Sequence, residues 1–91
     1  MSDKGDQPMA VTLKTLPGLL DGERGRIVRI GRTGSRSVRQ RLLDMGITRG
    51  AEVQVVRRAP MGDPIEVVVK NYHLALREKE AALIEVEPVV S

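Results

Sequence analysis

The apolar positions of this chain follow two periods, and the change between them marks its organisation. In the stretch 37–50, SVRQRLLDMGITRG, Val38, Leu42 and Met45 stand at i, i+4 and i+7. They share one face of a short helix expected over about 38–45. Ser37 followed three residues later by Gln40 is a capping-box pattern at its start. Gly46 supplies the residue that can turn left-handed at its end, which sets Leu42 against Ile47 as the apolar pair of a Schellman close.

Outside this helix the readable period is two. Val11 to Leu13 is a candidate short edge strand, and Leu16-Pro17-Gly18 and Asp21-Gly22 are turn signals, with Leu19 and Leu20 between them expected to pack under the sheet. Gly25 to Ile30 is rich in β-branched residues but alternates imperfectly: Val28 and Ile30 share a face, while Ile27 falls with Arg29. In Ala51 to Arg58, Val53 and Val55 take one face and Glu52, Gln54 and Arg58 the other. After the turn-rich stretch 59–64, Ile65, Val67 and Val69 alternate with Glu66 and Lys70, which makes a hairpin with a long loop. Asn71 makes the next turn. Tyr72, Leu74 and Leu76 then point toward the core, and His73, Ala75 and Arg77 away from it. A single helical turn is expected near 78–82, and Ile84 and Val86 alternate with Glu85 and Glu87 in a last strand ending at Pro88. Five to six short strands with one two-turn helix predict a mainly β domain, a small barrel or sandwich. Closing the sheet would remove its exposed edges. Residues 1–9 read as a flexible tail, 10–88 as a single domain and 89–91 as a C-terminal tail.

Composition narrows the chemistry. With 91 residues, 41% of them hydrophobic, one Tyr and neither Phe nor Trp, the core must be built from Val, Ile, Leu and Met. The absence of Cys excludes disulfides, thiolate metal sites and Cys nucleophiles. The first ten residues carry two Asp and no apolar stretch, and no apolar run approaches a membrane span of roughly 20 residues, so a cytoplasmic protein is expected.

Charge changes the picture further. Residues 24–58 hold ten Arg against Asp44 and Glu52, a local charge of +8 that leaves −5 for the rest of the chain. A basic segment of this kind either faces an acidic partner or simply solvates the surface. Nucleic acid is one such partner, but single-strand binders stack bases on aromatic side chains and this chain offers only Tyr72. There is no phosphate-binding GxxxxGK[ST] loop and no GxGxxG, and the one histidine, His73, has no partner in a triad. Catalytic residues and cofactors are therefore not expected. His73 is a weak metal candidate, because one His without Cys leaves only carboxylates to complete a site. What remains is a binding module presenting the helix with its Gly46 turn and the loop near 58–64. Leu43 lies off the Val38/Leu42/Met45 face, and Met61 stands at the tip of the loop.

Several motifs carry a resemblance. Arg41-Leu42-Leu43-Asp44-Met45-Gly46-Ile47, the strand entry Gly50-Ala51-Glu52-Val53, Ala59-Pro60-Met61-Gly62-Asp63-Pro64-Ile65, Tyr72-His73-Leu74-Ala75-Leu76-Arg77 and the stretch 80–86 follow in order. From about Thr12 to Glu87 the chain resembles the FeoA family, the small cytosolic component of bacterial ferrous iron transport. Asp21-Gly22-Glu23 stands where Pro-Gly-Glu is common in the family, Arg49 where Pro is frequent, and Leu16 to Leu20 resembles a small insertion. The resemblance implies an SH3-like β-barrel with an inserted helix, a fold shared with the C-terminal domain of iron-dependent repressors. It implies a non-enzymatic partner of FeoB, the membrane iron permease with a GTP-binding domain, held at the membrane only through that partner. Arg39, Leu43, Met45, Gly46, Arg58 and Met61 are the expected partner-binding residues. An arginine delivered in trans to a GTP site would have to be exposed, and Arg36, Arg39, Arg57 and Arg58 have the chemistry for it. Two other readings stand beside this one: a basic nucleic-acid-binding module, and a metal-sensing module using His73. A homodimer through an unpaired strand edge is left open.

Overall fold

A computed structural model describes residues 13–31 and 36–89. The expected tail at 1–9, the first two residues of the candidate strand at 11–13, most of the loop before the helix, and residues 90–91 lie outside the described residues. The elements run β1 (Lys14–Thr15), a 3-10 turn (Leu16–Gly18), β2 (Arg24–Ile30), α1 (Arg36–Asp44), β3 (Glu52–Arg58), β4 (Ile65–Val69), β5 (Tyr72–Leu76), α2 (Glu78–Ala81) and β6 (Ile84–Val89). The strands form one antiparallel sheet in the order β1-β6-β2-β3-β4-β5.

This order corrects the expectation of a mainly β, SH3-like barrel. The sheet is open: β1 pairs only with β6 and β5 only with β4. Closure needs the two terminal strands, β1 and β5, to exchange backbone hydrogen bonds, and β1, only two residues long, exchanges none with β5. The result is a mixed α/β arrangement, an open six-stranded antiparallel sheet with helices inserted between its strands. The 3-10 turn packs against β1, β6 and α2, so Leu16 and Ala81 close one end of the core.

Two bulges decide which side chains face inward. In β2, Ile27 pairs with Val86 and Arg29 with Glu85, so Val28 is the extra residue. That slip turns both Ile27 and Ile30 into the core and resolves the imperfect alternation of the sequence. In β3, Val55 pairs with Val67 and Arg57 with Glu66, which leaves Val56 as the extra residue. Beyond it the phase is reversed. Arg58 pairs with the buried Ile65 and lies on the inner face, not beside Glu52 and Gln54 as strict alternation requires.

The buried core is aliphatic throughout: Leu16, Leu19, Ile27, Ile30, Leu42, Ile47, Val53, Val55, Ile65, Val67, Val69, Leu76, Ala81, Ile84 and Val86. Leu20 departs from expectation and is 72% exposed, because only Leu19 of that pair turns under the sheet. Tyr72 also departs from it: at 69% exposed it lies beyond the end of the core, next to the hairpin turn. That turn is two residues long, with φ of 51° at Lys70 and 70° at Asn71, the left-handed pair that matches strand twist in a tight hairpin.

Helix α1 begins at Arg36, so Ser37 lies inside it rather than at its cap, and Gln40 donates along the helix to Asp44 Oδ1 at 3.0 Å. Its other end follows the sequence. The Ile47 N–H donates to the Leu42 carbonyl and the Gly46 N–H to the Leu43 carbonyl, each at 3.0 Å, with Gly46 at φ +94°. Leu42 and Ile47 are both fully buried, as the Schellman close requires. Val38 and Met45 pack against the core from the same helix face.

Candidate functional site

The expected partner-binding residues fall on two elements, α1 and the β3–β4 loop. On α1, Arg39 is exposed and Leu43 is 39% exposed, while Met45 is half-buried against the core. Gly46 holds the left-handed turn, and a Cβ there would meet Lys70 Cδ at 3.8 Å, ordinary contact. Backbone conformation, not crowding, therefore reserves this position for glycine.

The loop is pinned by its own backbone. Ala59 N–H donates to the Pro64 carbonyl at 3.0 Å and Gly62 N–H to the Ala59 carbonyl at 2.7 Å. This holds Met61 at the tip, 91% exposed. Arg58, at the base, has its guanidinium engaged within the fold. Nη2 donates to the carbonyls of Pro17 at 2.5 Å and Leu19 at 2.6 Å, and Nη1 to Asp21 Oδ1 at 2.9 Å. It staples the loop after the 3-10 turn to the end of β3, a consequence of the phase reversal at Val56.

α2 joins the two elements. The Arg41 guanidinium of α1 pairs with the Glu80 carboxylate, whose Oε1 accepts the Arg77 N–H at 3.0 Å. Asp63 Oδ1 of the loop accepts the Glu78 N–H at the start of α2, also at 3.0 Å. Sequence periodicity gives no sign of this link, because Glu80 looks like any other charged residue on a short helical turn. It is instead nearly buried, at 9% exposed.

The basic segment proves largely self-neutralised. Across the outer sheet face Arg24 pairs with Glu52, Arg26 with Glu87, Arg29 with Glu85 and Arg57 with Glu66. Arg41 and Arg58 are paired as described. Among the described residues, Arg36, Arg39 and Arg49 have no ion-pair partner, and Arg32 lies outside them. These exposed cross-strand pairs each contribute little to stability, but they occupy the charge that a nucleic-acid surface would need.

His73 projects from β5 on the outer face, with Nδ1 3.4 Å from Glu66 Oε2. Glu66 is shared with Arg57, whose Nε donates to Oε1 at 3.1 Å. An open groove of about 570 Å³ lies here, lined by Arg57, Pro60, Pro64, Glu66, His73 and Ala75 among others. No group of three or more metal-ligating side chains occurs among the described residues. No described helix is long and apolar enough to cross a membrane.

The family model of the FeoA domain matches residues 14–88. The chain is 38% identical over 76 residues to the Fe(2+) transport protein A/Fe(2+) transporter FeoB fusion protein of Porphyromonas gingivalis. That alignment covers 84% of this chain and 9% of the fusion protein, so the chain spans about a tenth of that relative's length. The solution structure of the FeoA protein from Chlorobium tepidum is similar at a TM-score of 0.78 and 38% identity, covering 85% of this chain and 71% of that one. The FeoA-like protein from Clostridium acetobutylicum is similar at a TM-score of 0.76 and 35% identity, covering 85% and 87%. With the match reaching from the start of β1 to all but the last residue of β6, the chain belongs to the FeoA family.

Proposed function

We propose that this chain is a non-enzymatic accessory protein of bacterial ferrous iron uptake. In this reading it docks on the cytoplasmic part of a FeoB-type permease and modulates transport or GTP hydrolysis there. The observation that carries the reading is the Porphyromonas gingivalis relative, in which a domain 38% identical to this one is joined to a FeoB transporter in a single polypeptide. Fusion holds two modules at high effective concentration, which favours function in contact.

The docking edge is formed by α1 and the β3–β4 loop. Leu43 and Met61 supply exposed apolar contact, and Arg39 supplies an uncommitted charge that steers approach to an acidic surface. Met45 and Gly46 set the end of the helix. Arg58 holds the base of the loop rather than meeting the partner. Of the four arginines with the chemistry to act in trans, Arg58 is held within the fold and Arg57 is exposed but paired with Glu66, so Arg36 and Arg39, unpaired among the described residues, are the first to substitute.

The test is an NMR titration of nitrogen-15-labelled protein with the soluble GTP-binding portion of its cognate FeoB at physiological salt. Shifts confined to 36–47 and 58–64, lost in Leu43→Asp and Met61→Asp, are the expected result. Shifts centred elsewhere, or unchanged affinity in both variants, would move the docking face. An absence of shifts with both this portion and full-length FeoB in detergent would refute direct docking.

A further inference from the structure

The two ends of the sheet are treated differently. At one end β1 is only two residues long, too short to template another strand. At the other end β5 presents five residues, Tyr72–Leu76, with no strand on its far side among the described residues. The sequence Tyr-His-Leu-Ala-Leu contains none of the usual protections of an edge: no Lys, no Pro and no register shift against β4.

The hairpin register identifies the free backbone groups. Val69 and Tyr72 flank a two-residue turn and so form a hydrogen-bonded pair, and the alternation continues through Val67–Leu74 and Ile65–Leu76. His73 and Ala75 occupy the intervening pairs, so their N–H and C=O groups point away from β4. The edge therefore offers two donors and two acceptors at the spacing an added strand requires.

Charge selects what would add. Lys70 and Arg77 bracket β5, and neither has an ion-pair partner among the described residues. Of the acids beside the strand, Glu66 is paired with Arg57 and lies 3.4 Å from His73, and Glu78 follows Arg77 at the start of α2. Along the strand, Tyr72 and half-buried Leu74 present apolar surface on one side, and His73 and Ala75 lie on the other. A matching strand alternates apolar and acidic residues. The fold already contains one such pairing: β6, with Ile84, Val86, Glu85 and Glu87, lies against the arginines of β2 through Arg29–Glu85 and Arg26–Glu87.

We propose that the open edge of β5 is a binding site for an extended partner segment of alternating apolar and acidic residues, which adds as a seventh strand through the backbone of His73 and Ala75. This surface adjoins the β3–β4 loop, whose Pro60 and Pro64 line the same groove as His73 and Ala75, but the inference does not rest on the FeoB reading. Main-chain hydrogen bonds supply affinity in this mode and the flanking charges supply selectivity.

The probe is an acetylated, amidated heptapeptide alternating Glu and Val, compared with its Lys and Val counterpart, and the readout is amide hydrogen exchange by NMR. The His73 and Ala75 amides should exchange rapidly in the protein alone and slow by about tenfold or more with the Glu peptide, as for any newly hydrogen-bonded amide. The Leu74 amide, already bonded to β4, should not change. Ala75→Pro removes one outward donor and no bond of the sheet, so it should weaken binding by about threefold to tenfold. The double variant Lys70→Glu/Arg77→Glu should transfer preference to the Lys peptide, which tests the charge argument should Ala75→Pro misfold. Protection of these amides in the protein alone at every concentration would mean that the chain covers its own edge and would overturn the proposal. Protection that grows with protein concentration would assign the edge to a second copy and overturn it equally. So would failure of the Glu peptide to protect the two amides, or binding unaffected by either variant.

Discussion

Arg58 shows how a single insertion in a ladder changes what a side chain does. Read by alternation it belongs on the solvent face with Glu52 and Gln54, where a partner could meet it. The extra residue at Val56 turns it inward, and its guanidinium fork fits the carbonyls of Pro17 and Leu19 together with Asp21. Arg58→Ala leaves those two part-buried acceptors without their donor and should cost about 1–3 kcal/mol in urea denaturation. Arg58→Lys should recover only part of the loss, because one ammonium cannot reproduce the planar fork. A stability unchanged by Arg58→Ala would return the residue to the surface. The sequence marks Arg58 as basic and near a loop. It could not show the bulge, because Val55-Val56-Arg57 has the same local character with or without one.

At the scale of the element, α1 was the most legible part of the chain. Its apolar spacing, Gly46 and the Leu42–Ile47 contact follow from local rules of helix geometry and chain reversal, and these hold wherever the helix is placed. The contrast between neighbours on this helix can be measured. Leu42 is fully buried, so Leu42→Ala should destabilise by about 2–5 kcal/mol in thermal or urea unfolding. Leu43 is 39% exposed, so Leu43→Asp should cost about 1 kcal/mol, from lost partial burial and a carboxylate in the last turn of the helix, while weakening docking. Equal effects of the two on stability would place both in the core and remove Leu43 from the docking edge. The start of the helix was less legible. The capping-box pattern names Ser37, but the helix begins at Arg36, and Gln40 pairs with Asp44 instead. The tie from α1 through Glu80 to α2 was not legible at all, since it joins residues far apart in sequence whose types are common on any surface.

For the whole molecule, the basic segment reads differently once folded. A count of ten arginines suggests an extended footprint for an acidic polymer. Antiparallel pairing instead sets β2 beside the glutamates of β6, and β3 beside Glu66 of β4, and much of the charge is met internally. Binding to single-stranded RNA discriminates the two descriptions through its salt dependence. Ten available arginines would give a slope of log K against log salt near −7, and the four for which no pairing is described, Arg32, Arg36, Arg39 and Arg49, near −3, at about 0.7 per phosphate contact. A shallow slope with weak affinity is expected from fluorescence anisotropy across a salt series. A slope near −7 would revive the nucleic-acid reading.

The sequence by itself determined the features that depend on neighbours along the chain: the period of the elements without a bulge, the glycine reversal after α1, the turn at Asn71, an all-aliphatic core and the succession of motifs that identifies the family. Those features are encoded over a few residues, where steric and hydrogen-bonding rules act without reference to the rest of the molecule. The tertiary structure alone decided that the sheet stays open, that Arg58 turns inward, that Leu20 and Tyr72 are exposed, and that most of the basic segment is paired. Each of these depends on which strands lie side by side and in what register. Such pairings join residues as near as 9 positions apart, as for Arg57 and Glu66, and as far as 56, as for Arg29 and Glu85, and one extra residue in a strand reverses every face beyond it.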